Sequence, residues 1–225
     1  ARLIAVDYEV LPAVLDVREA MLPNAPILHA GLRTRGGDPN AQTNIIAHHV
    51  MAVGDAEAAM AGAEVVTVEG EFKTSMVHQG YIEPHASTAT WNPDGQITIW
   101  TSTQGSFPAR QNTSAVLGHP ISRIKVIPTE IGGGFGGKIA IYLEPVAALL
   151  AKKSGKPVKV QMDRADVFEA TGPTPGTSIR AKLGATKDGR IVAAIADMAY
   201  ETGGYPISTP ANYATMVAFS CYDIE

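Results

Sequence analysis

The segment that most constrains this sequence is 132–138, which reads Gly-Gly-Gly-Phe-Gly-Gly-Lys and has glycine at five of its first six positions. Glycine accepts positive φ angles and has no Cβ, so this stretch, called the glycine loop below, is suited to a turn rather than to a helix or strand. Its backbone can approach another body closely, and its N–H groups can form a concave site for anionic oxygens. The loop therefore predicts either a site for phosphate or oxo groups or a tight packing corner.

The P-loop of nucleotide kinases is one pattern that the glycine loop matches. Gly132 to Lys138 satisfies G-x-x-x-x-G-K, but a P-loop needs Ser or Thr after its lysine to hold Mg²⁺. Ile139 stands at that position and cannot bind a metal. We therefore do not expect a P-loop.

A dinucleotide site is an alternative interpretation of the same loop. The pattern G-x-G-x-x-G is satisfied by Gly132, Gly134 and Gly137. That fold needs a strand, a glycine turn and a helix in immediate succession, whereas residues 128–131 separate the loop from the apolar strand predicted at 124–127. Asp163 follows a second predicted strand at 158–160, so a dinucleotide-binding domain that uses the loop stays open as an alternative.

The composition indicates a globular protein. The chain has 225 residues with 45% hydrophobic content, 18 basic and 22 acidic side chains, and a formal net charge of -4. This charge balance predicts no nucleic-acid partner, and the apolar stretches are far shorter than the roughly 20 residues of a membrane-spanning helix. No secretion signal is visible at either end. We expect a cytoplasmic protein that acts on a small molecule.

Cysteine usage limits the redox chemistry of this chain. Cys221 is the only cysteine, so the chain forms no internal disulfide and cannot supply the four thiolates of an iron–sulfur cluster. We expect Cys221 to be a buried small hydrophobe. Any iron–sulfur cluster must lie on another segment.

Capping and breaking residues predict four helices. They are expected at 16–22 and 55–60, each capped by the aspartate at its start, at 106–117, and at about 145–153. Ser106 is expected to cap the third of these helices, and Gly118 is expected to end it.

Strands and hairpins complete the pattern. Apolar alternation predicts strands at 4–10, 45–53 and 65–76. Asp-Gly pairs predict hairpins at 92–95 and 187–190, because the glycine accepts the positive φ of a tight turn. The mixture predicts an α+β fold, with mixed sheets, hairpins and packed helices, rather than a doubly wound sheet.

Four ordered segments resemble the large-subunit signature of the xanthine dehydrogenase and aldehyde oxidase family. They are Ser-Thr-Gln at 102–104, Leu-Gly at 117–118, Arg-Ile at 123–124 and the glycine loop. Gly-Tyr-Ile-Glu-Pro at 80–84 widens the resemblance, and 6–12 looks like the end of the family's hammerhead domain. The resemblance covers most of the chain and implies a fragment of the family's molybdenum-cofactor-binding domain.

Domain boundaries follow from this resemblance and from a Gly- and Asn-rich stretch at 31–44, which is expected to be a loop or linker. Residues 1–30 are expected to end a hammerhead-like domain and connect it onward. Residues 45–225 are expected to form the first, incomplete molybdenum-cofactor-binding domain. Both ends read as cuts in a longer polypeptide, because an apolar pattern runs up to each of them.

The resemblance also implies an activity and its partners. The intact protein is expected to be a molybdenum hydroxylase that oxidises an aldehyde or (hetero)aromatic C–H bond with water as oxygen donor. Its cofactor is expected to be molybdenum–molybdopterin, with or without a cytosine dinucleotide, and absent from the isolated fragment. The expected partners are the remaining molybdopterin domain and iron–sulfur and FAD subunits or domains.

The resemblance assigns roles to individual residues. Gln104 would point its amide toward the metal's oxygen ligands, and Phe135 with Gly136 would bring backbone N–H groups to the same oxygens, where such donors stabilise negative charge. Gly134, beside them in the loop, is also expected to bind the cofactor. Ile139 replaces a glutamate of purine-oxidising members, which favours an aldehyde or less polar aromatic substrate. Lys138, in contrast, is expected to be a solvent or helix-edge lysine.

No catalytic residue or direct metal ligand is expected in this chain. The family's general base is a glutamate in a Gly-x-Gly-Glu setting, which is not found in these 225 residues, so the fragment alone is expected to be inactive. A non-catalytic scaffold derived from the enzyme is therefore a second alternative. Two histidine pairs are expected to be ordinary loop or core residues, His48 with His49 and His78 with His85.

Overall fold

The computed structural model describes residues 5–205, 213–214 and 216–224. These residues divide into two compact units. The central unit is Val77–Thr174, and the split unit joins the chain up to Met76 to the chain from Pro175 onward. Both combine helices with sheets, which confirms the predicted α+β fold. The predicted linker at 31–44 lies inside the split unit, and its role as a domain boundary stays a prediction.

The helices and strands follow one another along the chain in two series. The first runs α1 (Val17–Ala20), α2 (Ala56–Met60), β1 (Val65–Thr74), β2 (Ala86–Trp91), β3 (Ile97–Thr101), α3 (Ser106–Leu117) and, after a 3-10 turn, β4 (Ile124–Pro128). The second runs α4 (Glu144–Ser154), β5 (Val158–Gln161), α5 (Arg164–Ala170), β6 (Thr177–Thr186) and β7 (Ile191–Tyr200).

The split unit is built on a three-stranded antiparallel sheet in the order β1-β6-β7. The predicted hairpin at 187–190 is confirmed, because it joins β6 to β7 and Gly189 has a φ of 94°. Helix α2 contributes the buried Met60, which packs so closely that a Cβ on Gly184 would lie 3.0 Å from its Cγ. Arg18 ties α1 to β7 through an ion pair of 2.9 Å with Asp197.

The central unit contains a four-stranded sheet in the order β4-β3-β2-β5, in which β3 and β4 are parallel and the other pairs are antiparallel. One face of α4 is made of alanines, Ala147, Ala148 and Ala151, all fully buried. Their small side chains let the helix lie close to Ile97 and Ile99 of β3, and this contact forms the core. Val77 and Thr174 exchange two backbone hydrogen bonds of 3.3 and 2.7 Å, so the unit begins and ends at neighbouring points.

Most predictions that rested on local signals are confirmed. Asp16 and Asp55 accept hydrogen bonds from the first turns of α1 and α2, and α3 ends at Gly118 in the left-handed conformation. The hairpin at 92–95 joins β2 to β3. The predicted cap on α3 is wrong, because Gly105 occupies the N-cap position and makes no side-chain hydrogen bond there.

Three predictions in the split unit are wrong. Residues 45–53 form no strand, because their only sheet-type contact is a single bridge between Ala47 and Arg35. Residues 5–10 are likewise unpaired and exposed, and the predicted first position of that strand, Ile4, lies outside the described residues. Cys221 is exposed rather than buried. Within the described ranges, no helix is both long and apolar enough to cross a membrane.

Candidate functional site

The glycine loop lies in the central unit between β4 and α4 and is closed by a tight turn. The Gly137 N–H donates to the Gly134 carbonyl over 2.7 Å. The two residues between them, Phe135 and Gly136, have φ values of 49° and 89°, a combination that belongs to type I′ turns. Phe135 is the only non-glycine residue with positive φ in the described part of the chain. Such a conformation costs about 1–3 kcal/mol and persists only where the surroundings impose it.

Gln104 holds this turn from the end of β3. Its side-chain Oε1 accepts the N–H groups of Gly136 and Lys138, each over 3.0 Å. The Gln104 backbone N–H donates to the Lys138 carbonyl over 2.9 Å, and the Thr103 hydroxyl donates to the same carbonyl over 3.2 Å. Because both partners of the side chain are donors, its oxygen must face the loop and its amide nitrogen must face away.

The Gln104 amide nitrogen has no hydrogen-bond partner among the residues that the structure describes, and the residue is exposed. The backbone N–H of Phe135 likewise has no acceptor in the described ranges. The Gln104 amide nitrogen and the Phe135 backbone N–H are therefore donors that remain available at this turn. Of the two loop N–H groups predicted to contact an oxygen ligand, the one on Gly136 is already bound to Gln104.

Gly134 and Gly137 are among the loop glycines that close contacts require. A Cβ on Gly134 would lie 2.5 Å from the Gln104 Oε1, and a Cβ on Gly137 would lie 2.7 Å from the Tyr81 ring. Real Cβ atoms do not approach that closely, so these positions let Gln104 and Tyr81 pack directly against the backbone. At Gly136, in contrast, nothing lies within 4 Å of the added atom, so this glycine faces open space.

Lys138 is a buried lysine below the loop and forms an ion pair with the partly exposed Glu83. Its side chain is 0% exposed, and its Nζ lies 2.7 Å from Glu83 Oε2 and 5.1 Å from the centre of the Tyr81 ring. The prediction of a solvent or helix-edge lysine is therefore wrong. A buried ammonium is stable only with a charged partner, and Glu83, 55 residues away in the sequence, provides it.

Glu83 binds both ends of the glycine loop through one oxygen atom. Its Oε2 accepts the Gly132 N–H and the Lys138 ammonium, each over 2.7 Å. Burial acts to raise the pKa of Glu83, but the hydrogen bonds from Lys138 and Gly132 outweigh it and hold the pKa below its ordinary value. The carboxylate is therefore charged at neutral pH, and its charge is balanced by the lysine.

A buried polar network lies beside this ion pair. The Tyr81 hydroxyl contacts His85 Nε2 over 2.7 Å and the Thr171 hydroxyl over 3.1 Å, and His78 contacts Thr171 over 2.8 Å. Burial, together with the nearby Lys138 charge, lowers the pKa of His85 to about 4, so this histidine is neutral. In the described ranges, no group of three or more His, Cys, Asp and Glu is arranged to hold a metal ion.

The structure brings the predicted site residues Gln104, Gly134, Phe135 and Gly136 together at one turn. Ile139 follows Lys138 and is 39% exposed. The loop departs from the strand, turn and helix order of a dinucleotide fold, because α4 begins only at Glu144. Asp163 instead forms a capping box with Asp166 at the start of α5.

Sequence reasoning missed the pair of Glu83 and Lys138. Glu83 lies in the Gly-Tyr-Ile-Glu-Pro segment, and nothing local in the sequence marks Lys138 as buried. The partner itself can be identified only from the fold.

The chain resembles known proteins over most of its length. Residues 38–225 match the profile of the molybdopterin cofactor-binding domain. The chain is 31% identical over 208 residues to the nicotinate dehydrogenase large molybdopterin subunit of Eubacterium barkeri, covering 92% of this chain and 46% of that protein. It is 30% identical over 206 residues to the xanthine dehydrogenase molybdenum-binding subunit of Escherichia coli O157:H7, covering 91% and 26%.

Solved structures agree with these matches. Reconstituted CO dehydrogenase from Oligotropha carboxidovorans superposes with a TM-score of 0.78 at 29% identity, over 100% of this chain and 29% of that one. The chain therefore spans between about a quarter and a half of the length of the curated relatives named above.

Proposed function

Because this chain belongs to the molybdopterin cofactor-binding domain family, we propose that its glycine loop and Gln104 form one wall of the molybdopterin site in a molybdenum hydroxylase. The predicted resemblance to xanthine dehydrogenase and aldehyde oxidase is confirmed by the matched relatives. The observation that carries the proposal is the outward-facing Gln104 amide nitrogen, which has no partner within the described residues although its oxygen is fixed by two hydrogen bonds.

The residues present fit a cofactor that carries oxygen ligands. Gln104 offers two N–H donors whose direction is set by the loop, and Phe135 adds a backbone N–H. Donors that are fixed before an anionic oxygen arrives stabilise it without the cost of reorientation. Gly134 supports this arrangement, because any larger residue there would displace the Gln104 side chain. Gly136 has no side chain, so it leaves space for the cofactor beside the turn.

When bound, molybdenum–molybdopterin would supply the redox chemistry, oxidising a C–H bond of the substrate with water as the oxygen source. The residues of this chain would orient the cofactor and stabilise negative charge on its oxygens. The general base that the family resemblance implies would be a glutamate outside these 225 residues, so the fragment alone would not turn over substrate. The proposed cofactor is molybdenum–molybdopterin with or without the cytosine dinucleotide.

Ile139 is the proposed substrate-facing residue of this wall. It stands directly after Lys138 and exposes 39% of its surface. An isoleucine can neither donate nor accept a hydrogen bond, so it would favour an aldehyde or a weakly polar aromatic compound over a purine. We further propose that the electrons taken from the substrate leave through iron–sulfur and FAD subunits or domains. We also propose that the enzyme is cytoplasmic.

The test begins with the intact protein purified from molybdenum-replete cells. Metal analysis should find about one molybdenum per chain, and a preparation without molybdenum would refute the proposal. Replacing Gln104 with alanine removes the donors to the cofactor and should lower kcat by roughly 10²- to 10³-fold. Gln111→Ala is the matched control, because Gln111 is an exposed glutamine of α3 in the same unit and should leave kcat unchanged.

A further inference from the structure

We propose that Glu83 and Lys138 are positioning residues of this site, whose ion pair holds the glycine loop so that Gln104 presents its amide nitrogen outward. This inference rests on the proposed function, since it names what orients the donors. The Lys138 side chain does not reach the proposed cofactor face. Lys138 is 0% exposed below the loop, and its side chain points to Glu83.

The hydrogen bonds place the pair at both ends of the loop. Glu83 Oε2 binds the N–H of Gly132, the first loop residue, and the ammonium of Lys138, the last, each over 2.7 Å. One carboxylate oxygen therefore fixes the separation of the two ends. Gly132 has room for this contact only because it has no Cβ, which would lie 2.7 Å from the Glu83 Cβ.

Lys138 then links the loop ends to Gln104 through its backbone. Its N–H donates to the Gln104 Oε1, and its carbonyl accepts the Gln104 backbone N–H. A shift of Lys138 therefore moves both the backbone and the side chain of Gln104. Because the amide is planar, the direction of its nitrogen is set once both its oxygen and the Gln104 backbone are held.

The two partners differ in burial, and this difference makes the proposal testable. The Lys138 side chain is 0% exposed, whereas the Glu83 side chain is 35% exposed. In Glu83→Gln the ammonium stays buried without a counter-charge, which is strongly unfavourable. In Lys138→Met the carboxylate can still be hydrated. We expect Glu83→Gln to be the more damaging single change, and adding Lys138→Met to it should restore most of the lost thermal stability.

Two readouts separate positioning from plain stability. The first is hydrogen exchange of peptides covering 132–139 in the intact protein, and the second is the electron paramagnetic resonance spectrum of molybdenum in the partially reduced protein. In the double variant we expect the loop amides to exchange at least tenfold faster than in the wild type, with an altered spectrum, although the melting temperature is largely restored. Peptides from β2 and β3 should exchange at wild-type rates.

Glu71→Gln serves as the control, since it removes an exposed carboxylate that lies 2.6 Å from Arg180 in the split unit. It should change neither readout. If the double variant shows wild-type loop exchange and a wild-type spectrum, the pair only fills space and the inference is overturned. If Glu83→Gln does not accumulate, the double variant is used for both readouts, because it has no unpaired buried charge. Absence of molybdenum from the wild type would defeat the proposed function instead, and loop exchange would still show whether the pair holds the loop.

Discussion

Replacing Gly134 with alanine should detach Gln104 from the glycine loop. The new Cβ would lie 2.5 Å from the Gln104 Oε1 and 2.6 Å from its Cδ, and these atoms must move away. The movement breaks the hydrogen bonds from the N–H groups of Gly136 and Lys138, both 3.0 Å long. No positive φ is involved at Gly134, so the effect is steric.

The magnitude follows from the two broken hydrogen bonds. Each is worth about 0.5–1.5 kcal/mol, which gives about 1–3 kcal/mol in total. The alanine recovers about 0.4–1 kcal/mol by restricting the unfolded chain. The net loss of local stability is roughly 0.6–2 kcal/mol, and the Gly136 and Lys138 amides should therefore exchange about 3- to 30-fold faster.

Hydrogen exchange of peptides covering 134–140 measures this loss in the intact protein. Gly172→Ala is the matched control, because Gly172 lies in the same unit, has no positive φ, and would place its Cβ at an ordinary 3.6 Å from the Tyr142 hydroxyl. This control should leave the loop unaffected. Exchange within twofold of the wild type in Gly134→Ala would refute the reasoning, because the backbone would then have absorbed the new atom without moving Gln104.

Three further predictions concern the central unit. Burial lowers the pKa of His85 from 6.5 to about 4. Between pH 6.5 and about pH 4, the unfolded chain therefore binds a proton at His85 that the folded chain does not bind. The free energy of unfolding should fall as the pH decreases through this window. His85→Asn removes this titrating group, so the difference in bound protons between the unfolded and folded chains should decrease by up to one. The urea midpoints of both proteins are measured at pH 7, 5.5 and 4.5. An equal fall of the midpoint in the variant and the wild type would contradict this. Thr101→Val removes the 2.9 Å hydrogen bond to the buried Glu144 carboxylate and should cost about 1.5–3 kcal/mol in urea denaturation, whereas Thr98→Val on the other face of β3 should cost little. Asp163→Ala should cost about 1 kcal/mol through loss of the α5 cap, seen as faster exchange at 164–170, while Asp163→Asn, which can still cap the helix, should not.

Features with local signals were predictable from the sequence. The Asp55 cap, the Gly118 helix end and both Asp-Gly hairpins each depend on a few neighbouring residues, and the structure contains them. The same holds for the glycine loop as a turn. The strand predicted at 45–53 does not form, because a strand also needs a partner elsewhere in the chain. Apolar alternation shows that a segment could be a strand, but not that a partner strand lies beside it.

The site was predictable only in part. Its loop and Gln104 could be placed together through the family resemblance, which preserves order and spacing along the chain. The burial of Lys138 could not be predicted, because it depends on the carboxylate of a residue 55 positions away. That carboxylate reaches the loop only after β2, β3 and β4 have assembled. The left-handed conformation of Phe135 was equally hidden, since phenylalanine gives no local preference for it.

The continuous central unit also has a consequence for the order of folding. Strands β1 and β6 meet at Thr74 and Thr177, which are 103 residues apart in the sequence. Val77 and Thr174 already lie together in the folded central unit, so closing the remaining loop then involves only a few residues. The difference in chain entropy is about 2–3 kcal/mol. We therefore expect the central unit to form first during synthesis, with the glycine loop and Gln104 in place before β1 acquires its partner.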